Sequence, residues 1–274
     1  MGLMFQPSLC LLGDQEFSIS QLTNHTLKPS EFSVSNFEEV GSLSIIDTLD
    51  SYSNYLSKRD ISGHVFLLLP NITDKNILRR VIASFLSIFS KVEADKIALY
   101  PYGNASFLMA LNSIERLVKK NNSVWVVAIN AIDSGYGLDS LVMVRCSMGH
   151  RGLRPYKVAV DLDFEGTDTA TSNITKQLGL VCTHLLDELA LSIEGEEPVW
   201  LGSIQFLSPW ITADTSYQLI DSITGPLGPC NGLLKALCVY QQQANRNISN
   251  YCGLQIDVER YGYAVGVLYR WVNE

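Results

Sequence analysis

From Gly63 onward the chain alternates between short unbroken apolar runs and longer stretches in which apolar residues recur every three or four positions. Val65–Leu69 is apolar throughout and stopped by Pro70, which predicts a strand buried on both faces. A helix follows, with Thr73 as its expected cap and Ile77, Val81, Phe85, Ile88 and Phe89 on one face. Ile97–Tyr100 predicts the next strand, and a helix starting at Asn104 places Phe107, Leu108, Leu111, Ile114, Leu117 and Val118 on one side as far as Lys120. Val124–Ile129 predicts a third strand. Beyond the Gly-containing turn Asp133–Gly137, Leu141–Cys146 predicts a strand running back.

A second series repeats the pattern. It begins with a strand at Val158–Leu162 and a helix over 174–191, with Ile174, Leu178, Val181, Leu185, Leu186 and Leu189 inward. A strand at Pro198–Ile204 comes next, and after the turn-rich 209–228 a helix runs from Pro229, a residue suited to the first helical position, to about Gln243. Tyr251–Val258 and Tyr263–Trp271 alternate around Glu259–Gly262 and predict a hairpin. Residues 1–60 are less patterned, with a short strand at Leu9–Leu12 and a helix over Ser44–Leu56. The expected division is an N-terminal half, 1–150, with 1–60 poorly defined, and a C-terminal half, 151–274, in a single compact unit. Alternating strands and helices predict an α/β fold with mixed sheets covered by helices. Two βαβαββ-type halves side by side give a layered α/β/α/β/α arrangement.

Composition narrows the function classes. The 274 residues are 47% hydrophobic and 18% charged, enough for a sizeable core and unlike a disordered chain. A net charge of −8 argues against broad nucleic-acid binding, although Arg145–Arg154 around His150 is locally basic. No apolar run approaches a membrane span, and MGLMFQPSLCLLGDQ lacks the basic start and apolar core of a signal peptide, so a cytoplasmic location is expected. The six cysteines (10, 146, 182, 230, 238, 252) show no CxxC or zinc spacing and read as free thiols. Cys182 and His184, two apart on the expected helix, would not face each other. Asp161, Asp163, Glu165 and Asp168 form an acidic run without a nearby His or Cys, which reads as a solvated strand end rather than a metal site.

Strand, turn and helix start at Tyr102–Leu111 (YGNASFLMAL) form a place where a side chain meets the positive end of a helix dipole. A cysteine there would be activated as a thiolate; Asn104 fits instead as an N-cap.

Three stretches in order resemble the β-ketoacyl synthases of the thiolase-like superfamily. NASFLMAL (Asn104–Leu111) is similar to the C-A-S-x-L-x-A-L signature of the acyl-accepting cysteine, EGTDT (Glu165–Thr169) to the H-G-T-x-T motif of the first histidine, and GLLKAL (Gly232–Leu237) to G-L-I-K-A-x beyond the second. The terminal YGYAVGVLYRW resembles the family's glycine-rich closing strand. The likeness covers roughly 60–274 and implies a shortened member, with the insertion between halves reduced to about 147–156.

The same resemblance puts Asn104 at the nucleophile, Glu165 at the first histidine, and Ile223 or Trp210 at the second. Tyr102, Gly103, Thr167, Thr169 and Gly225 would line the remnant cleft. Condensation needs a thiolate and two imidazole donors, and these residues supply neither. The expectation is therefore a catalytically inactive ketosynthase-like homodimer without cofactor or metal. It would act by binding a protein partner or an acyl or other small ligand, as scaffold, sensor, or regulator of transcription or secretion. The alternative is an accessory, chain-length-factor-like subunit pairing with an active synthase. A residual acid–base activity at Glu165, its carboxyl desolvated beside Asn104, is a third reading.

Overall fold

The computed structural model describes residues 1–27, 45–131, 137–162, 167–191, 205–246, 248–259 and 262–273. Its strands are β1 Gly2–Leu12, β2 Gln15–Glu16, β3 Val65–Leu68, β4 Ile97–Tyr100, β5 Ser123–Asn130, β6 Ser140–Gly149, β7 Arg151–Asp161, β8 Glu188–Ala190, β9 Ser216–Gln218, β10 Cys252–Glu259 and β11 Tyr263–Asn273. Its α-helices are α1 Ile19–Thr23, α2 Ile45–Ser51, α3 Ser53–Leu56, α4 Lys75–Ile88, α5 Ser106–Asn121, α6 Thr167–Gly179, α7 Asp221–Thr224 and α8 Pro229–Arg246.

Ten of these strands follow one path, β4-β3-β5-β6-β1-β7-β11-β10-β8-β9, and β2 pairs with β1 off it. Read outward from its centre, β1-β6-β5-β3-β4 and β7-β11-β10-β8-β9 have the same order and the same senses. β3 is parallel to β4 and β5 as β8 is to β9 and β10. β6 is antiparallel to β5 and β1 as β11 is to β10 and β7. The two series meet through a single pair, Leu3 with Leu153.

Alternation along the strands explains the layering. Val124, Val126 and Ala128 of β5 face the cluster that also holds Phe107 and Leu111 of α5 and Leu233 and Leu237 of α8. Val127 and Ile129 face the opposite cluster under α2, α3 and α4. In the other half, Val265 and Val267 of β11 face α5 and α8, whereas Leu254, Ile256 and Leu268 face α6. Helices α5 and α8 therefore form a central layer between two sheet faces, with α2–α4 and α6 outside. Burial on both faces is why the strands read as continuous apolar runs.

Four local expectations differ. The cap of α4 is Asp74, not Thr73, its carboxylate accepting the Asn76 N–H at 2.7 Å. β1 begins at Gly2 and pairs with β6 along almost its whole length, far beyond Leu9–Leu12. The turn-rich 209–228 contains β9 and α7. The expected helix over 174–191 stops at Gly179, whose carbonyl accepts the Trp210 indole N–H at 3.1 Å. Residues beyond it are drawn into β8, which pairs with both β10 and β9, so tertiary pairing overrides the helical period of Leu185, Leu186 and Leu189. The strand expected at Pro198–Ile204 lies outside the described residues. Among the described residues no helix is long and apolar enough to cross a membrane.

Candidate functional site

The chain leaves β4 through Pro101–Tyr102, makes a 3-10 turn over Gly103–Ala105 and enters α5. Ser106 holds this corner, its hydroxyl accepting the Tyr102 N–H at 3.0 Å and donating to Leu69 O at 3.1 Å. The Gly103 N–H also reaches Leu69 O, at 3.1 Å. Asn104 is therefore not the N-cap expected from its type. Only 1% exposed, it turns across to the other half, where its backbone N–H donates to Glu259 Oε2 at 2.9 Å and its Nδ2 to Val258 O at 3.3 Å. Gly103 has φ +54°, and a Cβ there would collide with the Glu259 carboxylate, so both conformation and space require glycine.

The carboxylate seated on Asn104 ends a polar row. Gln255, Asp257 and Glu259 alternate along β10 on the face turned toward α5 and α8, and all are buried. Lys235 of α8, fully buried, forms an ion pair with Asp257 and lies 3.5 Å from Ile256 O. Gln255 Nε2 donates to Gly232 O and to Asp257 Oδ2, both at 2.7 Å, and Tyr269 OH donates to Gln255 Oε1 at 3.3 Å. Burial pushes the Asp257 carboxyl upward, against the opposing pull of Lys235 and Gln255. A Cβ on Gly232 would lie 2.7 Å from Asn104 O and 2.9 Å from Asp257 Oδ2, so this glycine lets α8 approach the start of α5. Tyr102 closes the corner edge-on against Tyr100 and Tyr263, with ring centroids 6.1 and 4.9 Å away.

The Glu259 carboxyl lies against the turn that opens α5, where the helix dipole and the Asn104 backbone N–H favour an anion or a polarised carbonyl oxygen. The side chain of residue 104 is an amide, unable to take an acyl group as a thiolate does. What the corner offers is a fixed donor pointing into a buried, polar junction of the two halves.

The other sequence candidates are dispersed. Glu165 lies outside the described residues. Thr167 opens α6 in an outer layer, and Thr169 is exposed on the same helix. Ile223 of α7 packs on the central cluster, whereas Trp210 packs on the outer cluster beneath α6. Of the two positions considered for the second histidine, only Ile223 shares the cluster of α5. Gly225 follows α7 at φ +71°, its carbonyl accepting the Thr224 hydroxyl at 2.9 Å. Asp161 accepts from Asn173 Nδ2 at 2.7 Å, and among the described residues no group of three or more His, Cys, Asp and Glu could hold a metal ion. Sequence reasoning missed Glu259, Asp257 and Gln255. Their alternation was visible, but polar residues at every second position of a strand ordinarily mark a solvated face.

No protein-family model and no curated protein matches the sequence. Solved structures do. The 1,3,6,8-tetrahydroxynaphthalene synthase of Streptomyces coelicolor A3(2), a bacterial type III polyketide synthase, aligns over 96% of this chain and 97% of its own with TM-score 0.60 and 9% identity. A 3-oxoacyl-(acyl-carrier-protein) synthase III aligns over 98% of each chain with TM-score 0.56 and 11% identity. The peroxisomal 3-ketoacyl-CoA thiolase of Saccharomyces cerevisiae aligns over 97% of this chain and 96% of its own, with TM-score 0.54 and 9% identity. It is described as five-layered, α-β-α-β-α, from two core domains of identical topology. The expectation that the chain is not an enzyme is corrected by these matches: the architecture is shared with working synthases and a thiolase, and three replaced positions do not establish loss of activity. The order of strands, the central helix pair and the end-to-end matches agree, and the chain has the thiolase-like fold of the condensing enzymes.

Proposed function

We propose that this chain handles acyl thioesters at the junction between its halves, holding the acyl carbonyl at the start of α5 without covalent attachment to residue 104. The observation that carries the reading is the Asn104 N–H bonded to the buried Glu259 carboxylate at 2.9 Å. A carboxylate oxygen occupies the place that a polarised thioester carbonyl would take, and Glu259 yields it when substrate enters. Any chemistry then proceeds at the carbonyl or the adjacent carbon, with the α5 donor stabilising developing negative charge. The two halves, 1–150 and 151–274, act as one unit, and the protein works as a homodimer in the cytoplasm.

Equilibrium binding of acetyl-CoA and malonyl-CoA, combined with chromatographic detection of released CoA, tests this reading. Glu259→Ala removes a competing charge-assisted hydrogen bond worth ~1.5–3 kcal/mol, so the variant should bind ~10–100-fold more tightly than the natural chain. Failure of both proteins to bind or turn over either thioester would reject the proposal. Sedimentation of the free chain should give twice its mass.

A further inference from the structure

A cavity of about 450 Å³ opens at the end of the N-terminal sheet opposite the Asn104 corner. Ile97, Val65, Trp125 and Arg145 are register partners across β4, β3, β5 and β6, so they stand in line with about 4.8 Å between neighbours. Lys96 and His64 come just before the first two, and the His64 carbonyl accepts the Trp125 N–H at 2.9 Å. Four neighbouring strands thereby bring Lys96, His64, Trp125 and Arg145 to one lining. β4 runs four residues from this end to its exit at Pro101, about 13 Å, and the cavity shares no residue with the acyl site.

The lining is polar and cationic in a chain whose net charge is −8. Arg145, the one member of the basic stretch Arg145–Arg154 that reaches the cavity, donates from Nε and Nη2 to Ser123 Oγ at 3.2 and 3.0 Å. A hydroxyl thus sets the guanidinium plane, and among the described residues no carboxylate pairs with Arg145 or His64. Lys96 is 3.0 Å from Glu93 in an exposed pair of the kind that opens at little cost. Asp60, the one carboxylate in the lining, is held by Lys91 at 2.8 Å. A guanidinium, an ammonium and an imidazole N–H around one space match the oxygens of a phosphate. Trp125 is half-buried against the cluster under α2–α4, and among the described residues no cation or second ring stacks on its indole. An uncovered indole beside phosphate-binding cations offers a face on which a base can stack.

We propose that this cavity binds a nucleoside monophosphate, with the phosphate among His64, Lys96 and Arg145 and the base on Trp125. The volume falls in the range of roughly 300–1,000 Å³ usual for small-molecule sites, and the polar lining suits a charged ligand rather than an apolar one. The cations would hold any phosphate. The indole adds a preference for one that carries an aromatic ring. Stacking reads the face of a base and not its edge, so the site takes purine and pyrimidine nucleotides alike. It is independent of the acyl reading, because it lies at the other end of the sheet.

The test is calorimetric titration of the full chain with AMP, GMP, UMP, adenosine and inorganic phosphate at low salt. The nucleotides should bind, and adenosine and inorganic phosphate should each bind about 10-fold or more weakly than AMP. Arg145→Gln, a substitution on an exposed side chain, should weaken AMP about 10–100-fold and leave adenosine as it was. Trp125→Ala should weaken AMP about 10–100-fold without changing inorganic phosphate, and Trp125→Phe, which keeps a flat ring in the same packing, should restore most of the loss. Three results would overturn the proposal. They are no binding of any nucleotide to the natural chain at millimolar concentration, equal binding of AMP and inorganic phosphate, and AMP affinity unchanged in Arg145→Gln. The first two need no variant to fold.

Discussion

Glu188 offers a quantitative check on how this protein is held together. It opens β8 with only 2% of its surface exposed, its Oε2 accepting the Tyr251 hydroxyl at 2.8 Å. Burial raises its carboxyl from 4.5 to about 7, against the smaller opposing effects of Tyr251, Gln218 and Arg246. A carboxyl raised on folding keeps its proton in the native state over a range where the unfolded chain has released it. Native stability is therefore greatest below pH 4.5 for this group and falls as pH rises through about 7. Each pKa unit is worth ~1.4 kcal/mol, so the interval from 4.5 to about 7 corresponds to ~3 kcal/mol, a large part of the ~5–15 kcal/mol that keeps an ordinary domain folded. Glu188→Gln keeps an acceptor for Tyr251 and removes the titration. Urea unfolding of both proteins at a series of pH values gives the difference directly. The natural chain should lose ~3 kcal/mol relative to the variant between the acid and the alkaline end of that window. Asp257, raised in the same direction, and Cys182, lowered, act equally on both proteins and cancel. A difference that stays flat with pH would show that Glu188 titrates alike in the folded and unfolded chain and refute the reasoning.

Further outcomes are expected elsewhere in the core. Lys235→Met leaves the Asp257 carboxylate buried without its ion-pair partner and should cost ~3–5 kcal/mol by chemical denaturation, most of it recovered in Lys235→Met/Asp257→Leu. Gly232→Ala forces a methyl to within 2.7 Å of Asn104 O, so ~1–3 kcal/mol of stability should be lost along with acyl-CoA binding. Phe107→Ala empties a fully buried site in the central layer and should cost ~3–5 kcal/mol in the same assay. Iodoacetamide should alkylate Cys182 with a rate that is half-maximal near pH 6, set by the Cys252 thiol, the His184 and Thr183 backbone and the Arg270 charge against desolvation. Arg270→Gln should move that midpoint upward; an unmoved midpoint would remove Arg270 from the explanation.

Much of the scaffold can be read along the chain without coordinates. Strands β3, β4 and β5, helices α4, α5 and α8 and the β10–β11 hairpin follow from apolar runs, helical spacing and turn residues, because each is dictated by neighbours a few positions away. The ordered motifs at Asn104–Leu111, Glu165–Thr169 and Gly232–Leu237 also led to the thiolase-like layering that the solved structures share. What depended on distant parts of the chain was not legible. Gln255, Asp257 and Glu259 have the alternation of a solvent-facing edge, and only the packing of α5 and α8 against β10 turns that face inward. Asn104 does not cap α5, and the corner is held instead by Ser106, whose hydroxyl donates to Leu69 O just beyond β3. The helical period through Leu185 and Leu189 yielded to pairing of β8 with β10, and that pairing set Asp187 against the backbone of Cys252. Local periodicity determines which elements form and which of their faces are apolar. Which polar side chains are buried together, and so what chemistry is available, is decided when elements far apart in the chain come to share one interior.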